Sequence, residues 1–182
     1  WHEANAYAVA QLQDLASLLE KLLEIAEMES GSRRAPFARC DLRSIAHDVA
    51  DLYEAVAEEA GIRLRLDLPS LPLQGDAELL ASALANLIEN SLKYAGAGAT
   101  IVIEARQGAD GLQLTVRDTG PGVPPERLAR LGERFYRAHQ GICGFGLGLA
   151  SVAAVAKLHG GKLRLRNAVP GFVATLELPG GG

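Results

Sequence analysis

Residues 144–150 read GFGLGLA, three glycines on alternate positions with the apolar run LASVAAVAKLHGG overlapping and following them. Glycine loses more conformational freedom on folding than any other residue, so this density implies a backbone that must come close to something. The dinucleotide fingerprint G-x-G-x-x-G does not fit, because its last glycine would fall on Leu149 counted from Gly144 or on Ser151 counted from Gly146. A P-loop does not fit either, because Leu147 stands where the phosphate-binding lysine is needed. What remains is a glycine-rich loop entering a helix, and a helix start with bare amides is an anion site in its own right.

Composition limits what the anion can belong to. The chain has 182 residues, 48% hydrophobic and 22% charged, enough for one ordinary globular domain with an appendage. Its net charge of −4 disfavours nonspecific binding to nucleic acid or to an anionic membrane. Cys40 and Cys143 are too few for a disulfide framework and lack zinc spacing, which implies a reducing compartment. No apolar run reaches membrane-spanning length. The chain begins with Trp1 and shows no signal-peptide pattern, so it reads as a piece of something longer.

Working outward, the first thirty residues stand apart. Leu12, Leu15, Leu19, Leu22 and Ala26 recur at helix-seam spacing, which predicts a long stem helix packing along another helix. A linker from Gly31 to Cys40 follows, and then Asp41, a good N-cap for a helix ending at Gly61. IRLRLDLP alternates as a half-buried strand does. TIVIEAR with LQLTVRD, and GKLRLRN with FVATLELP, read as two antiparallel hairpins. Between them lie AELLASALANLIENSLKYA, capped by Asp76, and the helix starting near Leu147 and ending at His159-Gly160-Gly161. Strands and helices that do not alternate one by one predict an α+β fold, a two-layer sandwich with helices on one face of a mixed, mainly antiparallel sheet.

Three features converge on a ligand. Asn86 and Asn90 share one helical face, and Lys93 and Tyr94 continue it, a surface that suits a hydrated Mg²⁺, a phosphate and a flat base, or else forms a polar edge facing water. Asp118 ends a strand before Gly120-Pro121-Gly122, where it either caps a turn or accepts a hydrogen bond from the exocyclic amine of adenine, which guanine lacks at that position. Arg134 and Arg137 of ERFYR precede the glycines and could close over a triphosphate.

In order, NLIENSLKY, DTGPGVP, ERFYR and GFGLGLA resemble the N, G1, F and G2 boxes of sensor histidine kinases of two-component systems. The resemblance implies the Bergerat ATP-binding fold over residues 42–182, after a partial dimerisation and phosphotransfer helix over 1–31 and a linker over 32–41. It implies ATP and Mg²⁺ as ligands, with Asn90 on the metal, Lys93 near the phosphates, and Tyr94 and Asp118 at adenine. Gly120, Gly122 and Val123 would shape the base pocket. Phe135, Arg137, Gly144, Gly146, Leu147, Gly148 and Leu149 would form a mobile lid over the phosphates, with Arg137 in a catalytic role.

Related ATPases of the superfamily carry a water-activating glutamate where this chain has Asn86, so hydrolysis should be slow and the γ-phosphate kept for a histidine that Glu89 helps position. His2-Glu3 is followed by Ala4-Asn5-Ala6 rather than Arg-Thr-Pro, so the acceptor histidine is expected to be absent. His47 and His159 read as structural and His139 as solvent-facing; Cys143 in the lid is a candidate for oxidation. The implied partners are a response regulator and a second copy of the full-length protein, not nucleic acid, with the parent anchored in a bacterial inner membrane and this portion cytoplasmic. A serine kinase of the anti-sigma-factor type, or a scaffold that has lost catalysis, are the alternatives.

Overall fold

Alternation along five segments gives each an apolar face, and these faces join into one sheet. The computed structural model describes residues 2–30, 37–108, 111–136 and 145–180. The sheet strands are β2 (Arg63–Asp67), β4 (Thr100–Gly108), β5 (Gly111–Asp118), β6 (Lys162–Asn167) and β7 (Phe172–Leu178), in the order β2-β4-β5-β7-β6. β2 runs parallel to β4 and the other neighbours are antiparallel, so the sheet is mixed. Ile101, Ile103, Leu112, Leu114, Val116 and Leu176 point one way and are buried. Arg65, Glu104, Thr115, Arg164 and Glu177 occupy the alternate positions, as expected of a sheet covered on one side.

The cover is α2 (Leu42–Glu59), α3 (Ala77–Tyr94) and α5 (Gly148–Leu158). α3 lies centrally, against both α2 and α5, and buries Leu80, Leu84, Leu87 and Ile88. Its start is fixed by Asp76, whose Oδ1 accepts from the amides of Glu78 and Leu79, each at 3.1 Å. The Asp76 amide donates to His159 Nε2 at 3.0 Å, and Nδ1 of the same ring, 2.8 Å from the Val155 carbonyl, donates there. A buried histidine thus ties the end of α5 to the cap of α3. Asp41 caps α2 by accepting from the Arg43 amide at 3.2 Å, and it also accepts from the Leu71 amide at 2.7 Å.

The structure departs from the sequence reading in three places. Residues 38–41, read as linker, form β1 (Ala38–Asp41), paired antiparallel with β3 (Pro72–Gly75), which was not foreseen. Four-residue strands are too short to show a period, and only the tertiary partner defines them. α4 (Pro125–Leu128) is equally brief. The third departure concerns α1 (His2–Ser30). Its buried stripe is Ile25 and Met28 with Leu18 and Leu22 packed beside them, and it lies against α5. Leu12, Leu15 and Leu19 of the expected seam, with Leu23, stay exposed, because α5 takes up a face rotated from that seam.

The Asp76→Ala chain should unfold with about 1–2 kcal/mol less stability in a denaturant titration, because two α3 amides lose their acceptor.

Candidate functional site

A cavity of about 440 Å³ opens between the last turns of α3, the loop after β5 and the start of α5. Of the residues marked out in the sequence, Asn86, Glu89, Asn90, Lys93 and Tyr94 reach its wall from α3. Asp118, Gly122 and Val123 reach it from the end of β5, and Gly146, Leu147, Gly148 and Leu149 from the start of α5. The 3.6-residue period of α3 explains the first set, since positions three and four apart share a face. Arg137, His139, Cys143 and Gly144 lie outside the described residues, as does the side chain of His2.

Asp118 is only 5% exposed, and three donors hold it. Oδ1 accepts from the Gly120 amide at 2.9 Å and the Phe172 amide at 3.3 Å, while Oδ2 accepts from the Ser91 hydroxyl at 3.4 Å. Burial pushes its carboxyl above the usual value, against the pull of these hydrogen bonds. Oδ1 is saturated, so Oδ2 is the atom with acceptor capacity left for a ligand. Gly120 serves by holding that carboxylate and is not itself in the wall. Its neighbour Val123 is held by Asn167, which accepts from the Val123 amide at 2.9 Å and donates to its carbonyl at 2.6 Å.

The opposite part of the wall is lined by amides. Asn86 Nδ2 donates back to the Ser82 carbonyl at 2.9 Å, and its Oδ1 lies beside Gly148. Asn90 Nδ2 is buried and unpartnered. Gly148 lies against both, and a Cβ there would come 3.2 Å from Asn86 Oδ1 and 3.7 Å from Asn90 Nδ2. Gly146 has φ 71 and sits so near the Phe135 backbone that a Cβ would be 2.9 Å from the Phe135 carbonyl carbon. The alternating glycines therefore let one loop pass the asparagines on one side and the ERFYR segment on the other.

Glu89 accepts from the Tyr53 hydroxyl at 2.8 Å and lies 3.7 Å from Lys93 Nζ. Burial first, and then the Glu89 carboxylate, push the Tyr53 phenol up to about 12, so it remains a donor at neutral pH.

Two expectations do not match the positions seen. Phe135 has φ 64, is 56% exposed and is not in the wall; the adjacent Tyr136 is, with Arg130 4.3 Å from its ring centroid. Arg134 pairs with Glu29 of α1 instead of facing the cavity, because the end of α1 brings a carboxylate beside it. Sequence reading also missed Ser91, Phe172, Tyr136, Phe145 and Lys21 in the wall. Ser91 directly follows Asn90 and could have been noticed. Tyr136 and Phe145 lie within ERFYR and GFGLGLA and could have been noticed too, whereas Phe172 and Lys21 arrive through tertiary packing.

The sequence profile described as "Histidine kinase-, DNA gyrase B-, and HSP90-like ATPase" matches residues 75–181. The sensor-like histidine kinase SenX3 of Mycobacterium tuberculosis is 33% identical over 171 residues, covering 91% of this chain and 42% of that protein. The histidine kinase AdeS of Acinetobacter baumannii superimposes with a TM-score of 0.80 at 25% identity, over 94% of this chain and 81% of that one. Full-length ShkA in complex with AMPPNP does so with a TM-score of 0.79 at 26% identity, over 98% of this chain and 40% of that one. The chain spans between about a third and under half of the curated relatives it matches. The cavity of asparagines, buried aspartate and glycine loop lies on the stretch that the profile matches, and the chain belongs to the histidine kinase-, DNA gyrase B- and HSP90-like ATPase family as the ATP-binding domain of a sensor histidine kinase.

Proposed function

We propose that this domain binds Mg²⁺-ATP with adenine at Asp118 and the phosphates at Asn86, Asn90 and Gly148, and gives the γ-phosphate to a histidine on a dimerisation domain. The observation that carries the adenine assignment is the buried Asp118 in the cavity wall, with Oδ1 taken by two amides and Oδ2 held only by the Ser91 hydroxyl at 3.4 Å. Oδ2 accepts from the adenine amine, whereas the guanine carbonyl oxygen would meet it with like charge. The residues fit a magnesium ion: the Asn90 amide oxygen is a neutral ligand atom of the kind that suits a largely hydrated ion, and the buried Nδ2 of the same amide has no protein acceptor and is free to meet a phosphate oxygen. Asn90 would hold the ion, which when bound neutralises phosphate charge and keeps most of its waters.

The chain's own residues then orient the transfer. Gly148 lets the backbone lie against the phosphates, and the Asn90 amide meets an oxygen there. Asn86 cannot take a proton from water, so hydrolysis competes poorly with transfer. Glu89, whose carboxylate accepts from the Tyr53 hydroxyl, would orient the acceptor imidazole. The histidine nitrogen attacks the γ-phosphorus, the bond to the bridging oxygen breaks, and ADP leaves. Arg137 and Gly144 complete the lid in this reading.

The open stripe of Leu12, Leu15, Leu19 and Leu23 fits pairing within a helical bundle, with residues 1–31 as part of the dimerisation domain, 32–41 as its connection and 42–182 as the ATP-binding domain. No helix among the described residues is long and apolar enough to cross a membrane. The full protein is a membrane-anchored two-component sensor in this proposal, with this domain in the cytoplasm and a response regulator as recipient of the phosphoryl group.

The direct test supplies γ-labelled ATP, this chain and a separate acceptor-histidine domain; acid-labile label on the acceptor supports the reading, and label released only as inorganic phosphate overturns it. Asp118→Asn keeps the Oδ1 acceptor but replaces Oδ2 by a donor. Its affinity for ATP, measured by calorimetry, should fall at least about tenfold while its affinity for GTP rises. For the intact chain, the ionised carboxylate is the adenine acceptor and its protonation point is raised above 3.8, so ATP affinity should drop as pH falls through that raised value, at a less acidic pH than an ordinary carboxylate would give. Asn90→Ala should abolish the tightening of ATP binding by Mg²⁺ in the same titration.

A further inference from the structure

We infer that Lys21, on α1 and outside the nucleotide-binding domain, contacts the terminal phosphate of ATP and so makes the site distinguish ATP from ADP. This rests on the ATP reading above and extends it to a residue of another element.

Lys21 lies in the wall of the cavity. It is four residues before Ile25, which is fully buried, so it continues the stripe by which α1 packs on α5. α1 packs on α5, and α5 begins at Gly148, beside the Asn86 and Asn90 amides that the reading above assigns to the phosphates. Among the described wall residues the cations are Lys21 and Lys93. Lys93 has Glu89 at 3.7 Å, whereas Lys21 has no carboxylate or hydrogen-bond partner among the described residues. An unpaired ammonium on a long flexible stem, at the edge of a cavity whose ligand ends in the most negative group, is a phosphate ligand by its chemistry.

One consequence follows for the position of α1. With ATP bound, a contact from Lys21 adds to the burial of Ile25 and Met28 and to the Arg134–Glu29 ion pair in holding α1 on the domain. Loss of the terminal phosphate removes that contact and leaves the other two.

The test uses the full chain and measures affinities for Mg²⁺ complexes of a nonhydrolysable ATP analogue and of ADP, for the intact chain, Lys21→Met and Lys21→Arg. Methionine keeps the apolar stem and the helix propensity while removing the charge. The expected result is that Lys21→Met weakens the ATP analogue about five- to tenfold and ADP by less than about twofold, and that Lys21→Arg retains the preference. An unchanged ATP-to-ADP ratio in Lys21→Met, whether both nucleotides weaken equally or neither does, overturns the inference and leaves the ATP reading intact. Failure of the intact chain to bind either nucleotide would remove both.

Discussion

The site depends on one buried carboxylate. Asp118 stands at the end of β5, and its three donors come from the turn that follows it, from the first residue of β7 and from α3. Three parts of the chain distant in sequence are thereby held around one negative group. The arrangement costs something, because burial raises the carboxyl's protonation point and disfavours the charged form. Glycine makes the approach possible. A Cβ on Gly171 would sit 1.8 Å from the Asp118 carbonyl oxygen, so no other residue allows that turn to bring the Phe172 amide in.

The second requirement is a backbone that can pass between two crowded surfaces. The loop before α5 runs between the asparagines of α3 and the backbone of Phe135; a side chain at Gly146 would collide with that backbone, and one at Gly148 would crowd Asn86 Oδ1 at 3.2 Å. The Phe135 amide donates to the Gly146 carbonyl at 3.1 Å, which ties the residues just before α5 to ERFYR. Within ERFYR, Tyr136 and not Phe135 is the aromatic residue in the cavity wall.

Much of this was legible in the sequence because it depends on local periods and caps. The alternation of IRLRLDLP, TIVIEAR and LQLTVRD marks strands, and Asp41 and Asp76 mark helix starts. Asn86, Asn90, Lys93 and Tyr94 share a face by helical geometry alone, so placing them together needed no tertiary information. The missed features have another origin. β1 and β3 are defined only by each other, and Lys21 and Phe172 come to the cavity through packing between elements far apart in the chain. A long N-terminal helix is legible in the sequence, but which of its apolar faces meets α5 depends on how α1 docks. A seam at Leu12, Leu15 and Leu19 and a buried stripe at Ile25 and Met28 coexist on one helix, and periodicity does not rank them.

In the proposed reading Asp118 selects adenine at a magnesium-assisted phosphate site. Calorimetric titration of the intact chain at neutral pH with nonhydrolysable analogues of ATP and GTP, each with and without Mg²⁺, tests this. The ATP analogue should bind and tighten with Mg²⁺, and the GTP analogue should bind much more weakly. Equal affinity for the two bases would contradict the role of Asp118, and absence of ATP binding would contradict the assignment of the cavity.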